Sequence, residues 1–289
     1  MVNIEQFRVN KQESVNLRER LTYINHNFTS AQIKEKVDHN FRTIDQLQQK
    51  LMAEEKEALI FALQALDAAG KDEAERYVFS KLSAQGLRTS SFSKPNSTEL
   101  QHDYLWRLAS AMPERGEIAV FNRSHYEEVI GARINQSHLE APLPEHAKID
   151  DIWQMRYRQI NHFEQYLYEN GFYMVKIFLH ISKEIQKKRL LERIEDPNHQ
   201  WEFSFSDLED RERWQDHMCV FEECFSATST KYAPWYIIPA DDGDYGRWLI
   251  SEILLDKLTD INPEFPKVSN KEKEKLAQAA EKLRNGDFD

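Results

Sequence analysis

Asp67, Gly70 and Lys71 stand close together in ALDAAGKDE (65–73), and Asn122 and Arg123 follow an apolar run in EIAVFNRSHYEEVI (117–130). A glycine and a lysine at the start of a helix suit phosphate. Backbone N–H groups and the helix N-terminus converge on one spot there, and the lysine adds a full positive charge. The spacing approaches G-x-x-x-x-G-K-[ST], with Ala65 in place of the first glycine and Asp72 in place of the metal-binding hydroxyl. Asp67 is the informative residue, because a carboxylate beside bound phosphates repels them unless a cation lies between. That points to magnesium, or manganese as a substitute, held partly by Asp67, with Asp72 sharing the duty through water. Ala68, Ala69, Gly70, Lys71 and Asp72 then form the phosphate cradle.

Asn122 and Arg123 sit at the carboxyl end of an apolar strand, where open parallel sheets bind ligands and where a Walker B residue is found. Asn122 offers an oxygen to a metal ion or its water, and Arg123 a planar fork to phosphate oxygens. His125, Tyr126 and Glu127 open the next helix. In KEIQKKRLLERIEDP (183–197), Lys183 and Lys187, like Arg189 and Arg193, are four apart and face one way on a helix. A solvated face is the ordinary explanation of such a run. In an acidic chain, just after a core strand, it also suits an electrostatic channel.

The elements that must position these groups are legible from periodicity. Ile33, Val37, Phe41, Ile44, Leu47 and Leu51 form one face of a long helix from Ser30 to about Glu57. ALIFALQAL is a buried parallel strand running into the loop, followed by a helix from about Gly70 to Leu82. A helix is expected near Thr98–Ala111, and further strands at 117–121, 172–181 and 235–240. Alternation of this kind predicts a doubly wound parallel sheet. Residues 182–232 are helical and charged without a strand candidate, as an inserted lid would be. Residues 268–289 read as a solvated terminal helix.

The chain has 289 residues, 40% of them hydrophobic, with 49 acidic against 38 basic residues and a formal net charge of −11. That balance argues against coating nucleic acid or an anionic membrane, so a polyanionic ligand must meet a local basic cluster. No stretch approaches the roughly 18 apolar residues of a membrane span, and a cytoplasmic protein is expected. Cys219 and Cys224 alone support neither a disulfide framework nor a four-ligand zinc site.

Taken together, LDAAGKD, HDYLWRL, MPERGEIAVFNRSHYEEV, FLHISKEIQKKRLLERIEDP and TSTKYAPWYIIPADD make residues 7 to 260 resemble the polyphosphate kinase type 2 family. Its members move phosphoryl groups between inorganic polyphosphate and nucleotides. The resemblance implies a P-loop kinase-like three-layer α/β sandwich as one domain over 1–289. It would have a central parallel sheet, an N-terminal helical extension (about 1–57), an inserted helical lid (about 182–232) and a charged tail (268–289). It implies Asp67, Lys71 and Arg123 at the catalytic centre and Asp67 and Asn122 as metal ligands. Lys94, Lys187, Arg189 and Arg193 would contact polyphosphate, and Arg107, Asn122, Arg123, Tyr126, Glu127 and Arg133 the nucleotide. FNRSHYE, with Asn122 and Glu127, resembles the class accepting both nucleoside mono- and diphosphates. AMP, ADP, ATP and guanine nucleotides are the implied ligands, and a homodimer or homotetramer the implied assembly.

The sequence departs from the family at several points. Ala65 and Glu73 replace two glycines of QGMDAAGKDG. SFSKP in place of SFKAP moves a lysine to Lys94. His199 and Glu202 stand where KxWKFS carries basic residues, and lower polyphosphate affinity is expected there. An ATP-dependent nucleotide kinase is the rival reading, though it would keep a Ser or Thr after Lys71. A catalytically silent phosphate- or nucleotide-binding module is the other.

Overall fold

The computed structural model describes residues 2–10, 13–136 and 151–286. Five parallel strands, β1 (Ala58–Gln64), β2 (Leu87–Ser91), β3 (Ile118–Asn122), β4 (Phe172–His180) and β5 (Trp235–Pro239), form one sheet in the order β2-β3-β1-β4-β5. The α-helices are α1 (Ser30–Glu54), α2 (Lys71–Tyr77), α3 (Trp106–Ala111), α4 (Gly131–Ile134) and α5 (Ile152–Glu169), then α6 (Lys183–Glu195), α7 (Ser206–Glu212), α8 (Trp214–Thr228), α9 (Gly243–Ile261) and α10 (Asn270–Asn285). The expected three-layer arrangement with a central parallel sheet is thus present.

Alternation along the strands decides the layers. Leu59, Phe61 and Leu63 of β1 join Ile118, Val120, Val175 and Ile177 in a core shared with α1 and α9. Ile60, Ala119, Phe121 and Met174 point the other way. All seven residues of β1 are buried, which explains its unbroken apolar run. The apolar face of α1 packs on α9, from a start fixed by the reciprocal Thr29–Gln32 capping box to a stop at Glu55 with φ 50°. Fully buried aliphatic side chains such as Ile44 contribute about 1.5–3 kcal/mol each relative to exposure.

Several elements differ from expectation. LRTSS is a parallel strand, but a polar one at the sheet edge, without the apolar signature. The helix expected from Thr98 begins as a 3-10 turn at Glu99–Gln101 and becomes α-helical only at Trp106. Within the segment expected to be a lid, α8 lies in the core, with Phe221 and Phe225 against Phe178 and Phe225 against Trp235. The outlying part of that segment is α6, α7 and the chain between them.

A buried polar knot ties this layer together. Lys176 Nζ of β4 donates to Glu164 Oε2 of α5 at 2.7 Å, to Tyr126 Oη at 2.9 Å and to the Thr228 carbonyl at 2.7 Å. Tyr126 Oη donates to Glu164 Oε1 at 2.7 Å. The Lys176 and Glu164 side chains are both fully buried.

The N-terminal segment runs along the free edge of β5. Arg8 bridges Tyr236 in antiparallel fashion and Val9 N donates to the Trp235 carbonyl at 2.9 Å. Further on, Thr22 Oγ1 donates to Asp241 Oδ2 at 2.8 Å, and His26 Nε2 lies 3.0 Å from Asp242 Oδ2.

His180 closes β4 at 5% exposure, and its Nδ1 has no hydrogen-bond partner among the described residues. Burial lowers its pKa to about 4. The unfolded chain therefore takes up this proton first as pH falls, near the ordinary histidine value of about 6.5. Stability is complete above that value and is lost down to about pH 4, by on the order of 3 kcal/mol in all. Urea melts of the wild type between pH 7.5 and 4.5 should show this loss, and His180→Gln should reduce the pH slope by about one proton. An unchanged slope in the variant would remove His180 from the account.

None of the helices among the described residues is long and apolar enough to cross a membrane.

Candidate active site

The loop from Ala65 to Gly70 leaves β1 at the carboxyl end of the sheet and enters α2. Its sharp turn is made at Ala68 (φ 62°) and Gly70 (φ 105°), both left-handed. A left-handed alanine costs of order 1 kcal/mol or more, and such strain is held only where the surroundings enforce it. Ala65, where a glycine was expected, is not among the left-handed residues, so its Cβ meets no backbone penalty.

Lys71 is 7% exposed and folds back over the loop, donating to the carbonyls of Ala65 at 2.9 Å and Leu66 at 3.3 Å. Burial lowers its pKa, and Asp67 works against that shift. From β3, Arg123 (φ 62°) donates to Asp67 Oδ1 at 2.9 Å. Burial alone would raise the Asp67 carboxyl, yet Lys71 and Arg123 outweigh it and hold the group below its ordinary range. Asp67 is therefore a carboxylate at neutral pH.

Asn122 Nδ2 donates to Asp72 Oδ1 at 2.6 Å and Glu75 Oε2 at 3.2 Å, tying β3 to α2. From α6, Gln186 donates to the Asp67 carbonyl at 3.1 Å and Arg189 to the Ala68 carbonyl at 3.1 Å. Between these groups lies a cleft of about 240 Å³, lined by residues 67–72, Ser91, Ser93, Asn122, Arg123 and Arg193. Three cations, Lys71, Arg123 and Arg193, share the cleft with the carboxylates of Asp67 and Asp72, a setting for a polyanion and not for acid–base chemistry. Glu127 lies near the same group. Burial raises its pKa against the pull of Arg123 and Lys71.

Expected site residues fall into two sets. The structure brings Asp67, Ala68, Ala69, Gly70, Lys71, Asp72, Asn122, Arg123 and Arg193 onto one cleft. Arg189 borders a neighbouring cavity of about 670 Å³ behind the loop, and its guanidinium is spent on the carbonyls of Ala68, Ala240 and Asp241. Lys187 is exposed on α6, and Lys94 is exposed outside the residues lining the cleft.

Three residues expected at the nucleotide lie outside the residues lining this cleft. Tyr126 is 0% exposed with its hydroxyl in the Lys176–Glu164 knot, so it supports the loop after β3 from beneath and cannot touch a ligand there. Arg107 is buried among Glu99, Glu128 and the Ser93 carbonyl. Arg133 pairs with Glu223 at 2.7 Å, away from the cleft lining. An arginine in sequence does not disclose whether a carboxylate already holds it.

The sequence also left Gln186, Asp207 and Asp210 unmarked. Asp207, 6% exposed on α7, is raised by burial and by repulsion from Asp67, and Asp210 acts electrostatically on Arg123. Both lie on α7, and only the tertiary fold brings them near β1 and β3.

No group of three or more His, Cys, Asp or Glu side chains among the described residues is arranged to hold a metal ion. Magnesium needs no such cage. It binds through one or two protein oxygens and completes its shell with substrate phosphates and water. Asp67 and Asn122, both on the cleft, carry oxygens of the kind magnesium takes.

The family model described as polyphosphate kinase 2 matches residues 28–266. The chain is 39% identical over 288 residues to the ADP-polyphosphate phosphotransferase of Rhodopseudomonas palustris, covering 98% of this chain and 99% of that protein. It is 41% identical over 225 residues to the AMP/ADP-polyphosphate phosphotransferase of Meiothermus ruber, covering 78% and 80%. The crystal structure of polyphosphate kinase 2 from Arthrobacter aurescens TC1 matches it with a TM-score of 0.85 at 33% identity, over 96% of each chain.

Proposed function

The chain belongs to the polyphosphate kinase 2 family and is a polyphosphate-dependent nucleotide phosphotransferase, and we propose that it phosphorylates both AMP and ADP from inorganic polyphosphate, reversibly. The observation that carries this reading is the cleft itself, where Lys71, Arg123 and Arg193 ring the Asp67 carboxylate at the carboxyl ends of β1 and β3.

Phosphoryl transfer asks the protein to hold donor and acceptor in line and to place positive charge around the moving group. In our reading the loop from Ala68 to Lys71 cradles the end of the polyphosphate chain, and Lys71 and Arg193 neutralise it. Arg123 faces the acceptor phosphate, with Glu127 behind it. Asp67 orients Arg123 through their 2.9 Å contact. Magnesium is part of the proposal, held by Asp67 and Asn122, and when bound it supplies charge neutralisation between the phosphates. An acceptor phosphate is already an anion at neutral pH, so no general base is required. The proposal extends to a homo-oligomer in the cytoplasm that also accepts guanine nucleotides.

The test is nucleotide analysis after mixing pure protein with AMP, magnesium and long-chain polyphosphate, with no ATP added. ADP should appear first and ATP after it, and Lys71→Ala should slow both by about 10²-fold or more. Product formed with ATP as donor but none with polyphosphate would favour the ATP-dependent kinase. ADP without ATP would confine the activity to monophosphates.

A further inference from the structure

Of the cations on the cleft, Arg193 alone comes from the lid, and it does not stand free there. Its Nε lies 3.5 Å from Glu202 Oε2, with the Arg193 side chain 16% exposed and that of Glu202 29%. The other oxygen, Glu202 Oε1, accepts from His199 Nδ1 at 2.9 Å. Asp196 Oδ2 approaches the same ring at 3.9 Å. Both carboxylate oxygens of Glu202 are thus committed, one to a cleft arginine and one to a ring at the outer end of the lid. The arrangement is local, with Arg193 at the end of α6 and Glu202 in the 3-10 turn Gln200–Glu202 that follows it. On its inner side, Arg193 acts electrostatically on Asp67 and on Asp207.

We propose that Glu202 is a specificity-determining residue of the lid, a latch that holds Arg193 against incoming polyphosphate and so raises KM for the chain. The inference rests on the reading of Arg193 as a polyphosphate contact. A phosphate oxygen that takes the guanidinium must displace the Glu202 carboxylate or approach it, and either route costs free energy at the binding step. In that reading the loop and Lys71 hold the end of the chain and Arg123 the acceptor phosphate whether or not Glu202 releases Arg193, so the latch acts on chain binding and not on the chemical step. A partly exposed pair whose nearest atoms are 3.5 Å apart is weak enough to open and close with ligand.

The experiment is steady-state kinetics of ADP phosphorylation by the full chain with long-chain polyphosphate, comparing wild type, Glu202→Gln, Arg193→Gln and the double variant. Glu202→Gln should lower KM for polyphosphate by about threefold to fivefold, with kcat and KM for ADP within about twofold of wild type. The gain should shrink at high salt, where the pair is screened. In the Arg193→Gln background it should vanish, which separates a latch from general repulsion by one more carboxylate. Where Arg193→Gln turns over too slowly to yield a KM, calorimetric binding of polyphosphate gives the same cycle. An unchanged KM in Glu202→Gln, or an equal gain without Arg193, overturns the latch and leaves the catalytic reading standing. Wild-type protein that uses ATP but no polyphosphate overturns the catalytic reading, and the latch falls with it.

Discussion

Asp67→Asn should reduce turnover by about 10³-fold while leaving the fold and polyphosphate binding in place. The substitution keeps the shape of the side chain and removes its charge, which Lys71 and Arg123 together hold ionised below the ordinary carboxylate range. The carboxylate stays charged well below neutral pH, so protonation supplies no activity limb in the physiological range. Its loss leaves Arg123, at φ 62°, without the partner that fixes its fork 2.9 Å away, and it removes the proposed metal ligand. Circular dichroism and thermal melting should match wild type, because the group sits on the rim of a cleft and not in the core. Near-normal turnover of Asp67→Asn at limiting magnesium would sink both the orienting and the metal-binding role.

The largest stability effect should come from Lys176→Met, about 3–5 kcal/mol in chemical denaturation. The change keeps apolar bulk but leaves Glu164 fully buried without its cation. Burial would raise that carboxyl, and Lys176, with His125 in support, holds it below its ordinary range. Glu164→Leu combined with Lys176→Met should recover part of the loss, since no orphaned charge remains. A cost under about 1 kcal/mol for the single variant would mean that the pair is not ionised in the folded protein. The knot also fixes Tyr126, three residues after Arg123. Loss of stability is therefore expected to come with loss of turnover below the melting temperature.

What the sequence disclosed follows from which signals are local. β1, β3, β4 and β5 are buried on both faces, so each reads as an apolar run. β2 is an edge strand with an exposed, polar pattern, and LRTSS carries no periodicity to find. The cleft residues of the loop and of β3 were legible because each motif lies directly at a strand end. The resemblance implies Tyr126, Arg107 and Arg133 at the nucleotide; their partners Glu164, Glu128 and Glu223 belong to other helices or turns and are not legible beside them in the sequence. Asp207 and Asp210 were missed for the converse reason. The charged residues of α8 concealed its membership of the core, since Phe221 and Phe225 carry the packing between acidic neighbours. The apolar face of α1, which alone could equally serve an intermolecular contact, packs on α9 within the chain.

The segment that runs along β5 has a consequence for colloidal behaviour. A parallel sheet exposes unpaired backbone groups at its two outer strands, and such edges are templates for strand addition by other chains. Here the two edges are guarded by different means. β2 is short, polar and carries Arg88, which makes it a poor template. β5 reads WYIIP, wholly buried, and its protection is the backbone of Arg8 and Val9 lying against Trp235 and Tyr236. Stripped of residues before Val15, this sheet would present the backbone edge of a wholly buried strand to the solvent, and self-association of the folded protein would become an edge-to-edge problem that β5 itself opposes only through Pro239 at its end.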